Sequence, residues 1–144
     1  MKILHITNEI TKKNFSISSL ILYLSEKLKK NYQINNSILV SNFDKTLKLK
    51  GDEKVELIDF NSWLDIFFKF NKLLNHYKNF DIVHIHGIWA PIQLFSIILC
   101  NFRNTKVVIH PHGMLLEEAI SESGYIKFCL KKFALFFFEI YSSK

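Results

Sequence analysis

The chain has 144 residues, enough for one domain with its own core, and 49% of them are hydrophobic against 22% charged, which excludes a disordered chain. The 19 Lys and Arg outnumber the 13 Asp and Glu, giving a net charge of +6. This charge favours an anionic partner, whether nucleic acid, acidic lipid or a phosphorylated small molecule.

The first half of the chain reads as strand, helix, strand, strand. Lys2–Thr7 is a short apolar run typical of a buried strand. A helical face follows, carried by Ile17, Leu20, Ile21, Leu24 and Leu28, with Ser16 or Ser18 as a candidate cap. Ser37–Val40 and Val55–Phe60 are the second and third predicted strands, and the polar, Lys-rich segment between them shows no clear helix.

The second half continues the alternation. The predicted elements are a helix from Ser62 to Tyr77, a strand over Asp81–Gly87, a helix from Pro91 to Phe102, a strand over Lys106–His110, and helices over Leu115–Glu122 and Tyr125–Tyr141. Strands alternating with helices predict an α/β fold: a doubly wound, mainly parallel sheet of about five strands flanked by helices. Cys100 and Cys129 lie in apolar surroundings, so we expect both to be reduced and buried.

Ligands of such sheets bind beyond the carboxyl ends of the strands, where the strand order reverses. With the common order 3-2-1-4-5, that point lies between the first and fourth strands. The residues expected just past the strand ends are Asn8 after the first strand, His86, Gly87 and Trp89 after the fourth, and His112, Gly113 and Met114 after the fifth. The two glycines allow a positive φ and the close approach of a ligand.

The histidines of the last two predicted strands fall into two groups, which differ in their expected exposure to solvent. We expect His84 and His110 to lie inside the sheet layers, and His86 and His112 to face solvent at the strand ends. A neutral histidine there can hydrogen bond to a sugar hydroxyl or to a phosphate. The two His-x-His pairs also leave open a metal-dependent hydrolase, but only Glu117 and Glu118 lie near in sequence as carboxylate ligands, so no metal is predicted.

Several common kinds of site are excluded because the chain lacks the residues that define them. The chain has no G-x-G-x-x-G after the first strand, no G-x-x-x-x-G-K-S/T and no G-x-S-x-G. It also has no recognisable nucleic-acid-binding module, so we expect no nucleic-acid partner despite the positive charge.

Two central motifs resemble those of glycosyltransferase family 4. Asp81 to Pro91 reads DIVHIHGIWAP, and Val108 to Leu115 reads VIHPHGML; both resemble segments of that family in order and spacing. The opening MKILHIT is similar to the family's first strand. The resemblance covers essentially the whole chain.

The resemblance implies an enzyme of the GT-B type, in which two Rossmann-like domains face each other across a cleft. Residues 1–144 would be the amino-terminal, acceptor-side domain, and the donor-binding carboxyl-terminal domain is absent, so we expect no activity from this chain alone. Members transfer a sugar from a nucleotide sugar, with retention, to saccharide or lipid-linked acceptors in cell-surface polysaccharide synthesis, including lipopolysaccharide. The nucleotide sugar is a co-substrate, and no cofactor or metal is expected.

The same resemblance assigns the site residues. It makes His112 the catalytic candidate beside the transferred sugar, and it places His86, Gly87 and Trp89 at the cleft. Asn8, Gly113 and Met114 join the substrate-binding set by their predicted places at the strand ends. Phe15 and Ser16 stand where the family usually has two glycines near the donor phosphates, which is a departure from the pattern.

The remaining expectations concern partners and location. A separately encoded donor domain is one expected partner, and a non-catalytic binding or assembly module is the alternative to an enzyme. No signal peptide or transmembrane helix is expected, so the protein is predicted to be cytoplasmic. A peripheral contact with an anionic membrane at the inner face of the plasma membrane is also expected, through Lys127, Lys131, Lys132 and the neighbouring phenylalanines.

Overall fold

The computed structural model describes residues 1–13, 15–44, 46–47, 54–57, 73–115 and 135–136. Its sheet has five strands: β1 (Lys2–Ile10), β2 (Asn35–Phe43), β3 (Lys54–Leu57), β4 (Ile82–His86) and β5 (Lys106–His110). All neighbours pair in parallel, in the order β3-β2-β1-β4-β5. The predicted fold class and strand order are confirmed: this is a Rossmann-like α/β sheet.

One face of the sheet is covered by helix α2 (Pro91–Phe102) and by the helical residues 73–77. Apolar side chains at alternate positions of the strands form this core, because successive side chains of a strand point to opposite faces. Its fully buried members include Leu4, Ile6, Leu39, Val83, Ile85, Leu99 and Cys100. Burial raises the pKa of the Cys100 thiol to about 12, so this free cysteine is inert, as expected.

Helix α1 (Phe15–Tyr32) covers the opposite face over β1 and β2. Its Ile21 packs with Ile10, Ile38 and Val40, all fully buried. Leu20 was predicted on the buried face but is 41% exposed, because small Ser18 and Ser25 let the helix approach the sheet closely on the line of Ile21.

The serines were also predicted to cap this helix, and the structure gives them other places. Ser16 and Ser18 both lie inside α1. The Ser18 hydroxyl accepts a hydrogen bond from the N–H of Thr11 at 3.1 Å and donates one to the carbonyl of the same residue at 3.2 Å. Ser18 therefore ties the loop after β1 to the helix.

The first strand is longer than predicted. Asn8 and Glu9 suggested a loop after Thr7, yet β1 continues to Ile10 and pairs Ile10 with Phe43 of β2. The physical reason is the burial of Ile10, which packs with Ile21 of α1 and with Ile38 and Val40 of β2.

Several predictions fall outside the described residues: most of the helix from Ser62 to Tyr77, the end of the third strand, Cys129, and nearly all of the two helices after Leu115, including the three lysines assigned to membrane contact. Among the described residues, no helix is both long and apolar enough to cross a bilayer.

Candidate functional site

The carboxyl edge of the sheet brings polar side chains from three strands into register. Thr7 of β1 pairs with His86 of β4, and His86 pairs with His110 of β5. The two strands that flank the reversal point, β1 and β4, therefore place polar side chains in the same row, although β1 continues to Ile10. Parallel sheets of this kind bind ligands at this edge.

One face of this edge is lined with imidazoles. His84 and His86 share a face because they are two residues apart on β4, and the register places His5 of β1 beside His84. His110 lies on the same face next to His86. The loop after β5 adds His112, so that five of the six histidines of the chain meet at one place.

Three of these rings form a hydrogen-bonded row. The Nδ1 of His5 lies 3.1 Å from the Nε2 of His86, and the Nδ1 of His86 lies 3.1 Å from the Nε2 of His112. His5 and His86 are buried, at 0% and 1% exposure, whereas His112 is half-buried. The row thus runs from the interior of the sheet to the open edge.

The other two histidines pack against this row. His84 lies with its ring centroid 4.1 Å from that of His86, and His110 lies 4.0 Å from His112 with the two planes only 18° apart. His110 is exposed, and Val108 on the same face of β5 is 48% exposed.

Burial keeps the interior rings neutral. Loss of solvent is the main cause that lowers the pKa of His5 to about 4, His84 to about 4 and His86 to about 2, and neighbouring imidazoles add to it. The pKa of His112 is also lowered, first by burial and then by His110. Near neutral pH each of these four rings therefore has one N–H and one lone-pair nitrogen.

Two short loops shape the edge. Gly87 follows β4 with φ +91°, and its N–H donates to the carbonyl of His110 at 2.8 Å. A Cβ at Gly87 would lie 2.5 Å from the Nε2 of Gln93, so a side chain at this position would require the Gln93 amide to move. After β5, His112 and Gly113 both have a positive φ, of 51° and 78°, in a turn closed by a bond from the N–H of Met114 to the carbonyl of Pro111.

Gln93 is a positioning residue that the sequence did not suggest. Its side-chain N–H donates to the carbonyl of His86, and its Oε1 accepts a 2.8 Å bond from the N–H of Ala90. It lies in the first turn of α2 and is buried. Gln93 thereby fixes the loop between the end of β4 and the start of the helix.

Two of the sequence-based expectations for the histidines are wrong. His86 was expected to face solvent and is buried, because the rings of His5, His84, His110 and His112 surround it. His110 was expected inside the sheet layers and is exposed, because it lies on the outermost strand of the face where α1 packs on β1 and β2.

The remaining predicted residues gather only in part. His86 is the last residue of β4, and Gly87, His112, Gly113 and Met114 lie in the two loops that follow β4 and β5. Trp89 is half-buried in the turn before α2, and Asn8 is an exposed residue within β1 rather than in a loop after it. His5 was missed, although its place on β1 matches that of His84 on β4.

Some of these histidines are close enough to hold a metal ion. The ligand nitrogens of His86, His110 and His112 all lie within 4.8 Å of one another, and so do those of His5, His84 and His86. The first group opens toward solvent through His110, and the second lies deeper in the sheet.

Comparison with known proteins supports the fold. No protein-family profile and no curated protein matches the chain. Among solved structures, the chain is similar to UDP-GlcNAc 2-epimerase from Neisseria meningitidis bound to UDP-GlcNAc, with a TM-score of 0.56 and 16% identity. The match covers 93% of this chain and 38% of the epimerase chain, so this chain spans well under half of that enzyme. At this identity the similarity establishes a Rossmann-like fold that is also found in an enzyme of nucleotide-sugar chemistry.

Proposed function

We propose that this chain is the acceptor-side half of a glycosyltransferase of the GT-B type. It would help move a sugar, with retention, from a nucleotide sugar to a saccharide or lipid-linked acceptor in cell-surface polysaccharide synthesis. The fold supports this proposal, since a solved structure similar to it carries a bound nucleotide sugar. The two motifs that resemble glycosyltransferase family 4 are the segments that form the loops at the carboxyl edge.

The observation that carries the proposal is the position of His112. This residue follows β5 at the carboxyl edge, has a positive φ, and is held by the buried ring of His86. The hydrogen bond with His86 fixes the orientation of the half-buried, neutral His112 ring. A ring fixed in this way can form a hydrogen bond with a polar group of a sugar. Because the ring is neutral, it is better suited to hydrogen bond with a sugar hydroxyl than to bind a free anion.

The chain should therefore bind saccharides but not transfer them. We expect the donor nucleotide to be held mainly by a second domain, and catalysis requires that donor and acceptor be held together. His112 would contact the sugar, while His86 and Gln93 position the loops, Gly87 permits the turn after β4, and the exposed Gly113 permits the close approach of the ligand.

A titration of the full chain tests this proposal. A panel of soluble oligosaccharides and, separately, UDP- and GDP-sugars would be added while the imidazole ring signals are followed by NMR. We expect at least one oligosaccharide to shift the His112 signals, and nucleotide sugars to leave them unchanged at micromolar concentration. If no saccharide in a broad panel shifts these signals, or if a nucleotide sugar binds with a micromolar Kd, the assignment of this half is wrong.

A metal-dependent hydrolase is the second candidate, and the grouping of His86, His110 and His112 favours it. Three imidazole ligands with one open position are typical of catalytic zinc. Titration with Co²⁺, followed by its visible absorption, separates the two candidates. Stoichiometric binding that disappears in His110→Ala would support the hydrolase, whereas the transferase proposal expects no such binding.

A further inference from the structure

The row of rings from His5 through His86 to His112 must have a single hydrogen-bond direction. Each neutral imidazole has one N–H and one lone pair, so a ring that donates to one neighbour accepts from the other. The two N···N contacts of 3.1 Å therefore either both donate toward His112 or both donate toward His5. The direction decides what His112 presents to a ligand at its outer nitrogen, Nδ1.

The two directions make opposite demands at the inner end of the row. If both bonds point toward His112, the Nε2 of His5 is a lone pair and the Nδ1 of His112 carries an N–H. If both bonds point toward His5, the Nε2 of His5 carries an N–H that needs an acceptor inside the protein. The Nδ1 of His112 is then the lone pair.

Asn36 of β2 is the candidate for that acceptor, because the register pairs Asn36 with Ile3 and Ile38 with His5 and so places Asn36 diagonally beside His5 on the same face of the sheet. Its side-chain Nδ2 donates to the carbonyl of Ser25 at 3.0 Å and to the carbonyl of Ile34 at 3.1 Å, which fixes the orientation of the amide. Its Oδ1 is thereby left as an acceptor that is buried and has no hydrogen-bond partner among the described residues.

The inner nitrogen of His5, Nε2, also lacks a hydrogen-bond partner in the described part of the chain. This atom is buried, and a small side-chain adjustment would join it to the Oδ1 of Asn36. Burial lowers the pKa of His5, but the Asn36 side chain raises it, which is the effect of a group that accepts a hydrogen bond from the ring. Pairing these two atoms avoids the cost of leaving a buried donor and a buried acceptor unsatisfied.

We propose that Asn36 and His5, acting through His86, hold His112 in the tautomer that is protonated on Nε2, so that its Nδ1 accepts a hydrogen bond at the open edge. Asn36, His5 and His86 are then positioning residues for a group far from Asn36 itself. This inference deepens the proposed function and, for the substrate class, rests on it. A lone pair on Nδ1 selects a hydroxyl donor, such as a saccharide hydroxyl, and disfavours a phosphate oxygen.

The tautomer can be read directly from the imidazole nitrogens. Long-range ¹H–¹⁵N spectra of the full chain would be recorded at neutral pH with a chelator present, so that the rings are free of metal. We expect the Nε2 of His112 to show the shift of a protonated nitrogen and its Nδ1 that of a lone pair. A protonated Nδ1, or an equal mixture of the two tautomers, would overturn the proposal.

Two variants of Asn36 test the origin of the preference. Asn36→Leu removes the acceptor at similar size, and we expect His112 to lose its preference for the Nε2–H form. Asn36→Asp keeps an acceptor, and we expect it to retain the preference. His76, whose Nδ1 lies 3.2 Å from Glu56 Oε2, serves as a reference ring that neither variant should change.

The outcomes are separable. An unchanged His112 spectrum in folded Asn36→Leu would overturn the role of Asn36, and if that variant does not fold, the spectrum of the unaltered chain still decides the tautomer. The measurement needs no saccharide. A correct tautomer without saccharide binding would therefore contradict the proposed function and leave the tautomer assignment standing.

Discussion

His112 combines an unusual backbone with an anchored side chain. A φ of +51° is uncommon for a residue other than glycine, although histidine and asparagine tolerate it better than most. Strain of this kind is found where the surroundings hold a residue in place for a task, and here the holding group is His86.

Replacement of His112 should affect function far more than stability. For the proposed saccharide contact, we expect His112→Ala to lower sugar transfer by the complete enzyme about 10²–10³-fold, the range for one well-placed hydrogen bond. His112→Asn is the matched control for the backbone, because it tolerates positive φ but lacks the imidazole. Full activity together with a much lower Tm in His112→Ala would make the histidine structural.

The buried histidines predict an acid-sensitive fold. The pKa values of His5 and His84 are lowered from 6.5 to about 4, so below pH 6.5 the unfolded chain binds protons that the folded chain does not. The two histidines therefore leave the free energy of unfolding unchanged above pH 6.5 and lower it as the pH drops toward 4. One pKa unit corresponds to about 1.4 kcal/mol, so His5 alone accounts for roughly 3 kcal/mol of this loss.

Urea denaturation across this pH range provides the measurement. We expect the free energy of unfolding to fall steeply between pH 6.5 and 4, and the slope to become shallower in His5→Gln, whose amide can still donate and accept. Equal slopes for the two proteins would show that His5 is not a source of the pH dependence.

At the scale of the elements, the loop between β4 and α2 has a specific backbone requirement. Gly87 has a φ of +91°, and the Gln93 side chain occupies the space of a Cβ. Because Gln93 also holds the carbonyl of His86, a displaced Gln93 would disturb the row of histidines.

Gly87→Ala should consequently destabilise the protein by about 1–3 kcal/mol, the usual cost of a residue held in a poorly populated backbone region. The thermal unfolding of Gly87→Ala would be compared with that of Gly113→Ala, which changes an exposed glycine with the same sign of φ. The difference between the two losses of stability gives the contribution of the contact with Gln93. We expect Gly87→Ala to be the more damaging, and equal losses would argue against the role of Gln93.

The predictable part of the fold came from local patterns. Apolar runs identified all five strands, and the Pro91 start of α2 followed from the missing N–H of proline. The end of β1 was misplaced because polar Asn8 and Glu9 concealed Ile10, whose burial depends on α1.

Only part of the candidate site could be predicted from the sequence, because the rest depends on contacts between distant elements. The loops after β4 and β5 carry recognisable motifs, but the contribution of His5 and Asn36 depends on the register of β1 with its neighbours. A single sequence does not contain that register.

For the molecule as a whole, the structure shows a Rossmann-like sheet whose carboxyl edge is lined by histidines. We expect calorimetric titration of the full chain with UDP- and GDP-sugars to show no micromolar binding, because in the proposed arrangement the donor is held mainly by another domain. Heat signals that fit a micromolar Kd would instead place the donor site within these residues.

The proposed role of the carboxyl edge carrying His112 in sugar transfer can be tested in the organism that makes this protein. The chromosomal codon for His112 would be changed to alanine, and the sugar composition of the cell-surface polysaccharide determined, with His76→Ala as the control and the amount of protein checked. We expect His112→Ala to remove the same sugar as deletion of the gene, and His76→Ala to leave it in place. An unaltered polysaccharide in the His112→Ala strain would contradict a role of this edge in sugar transfer.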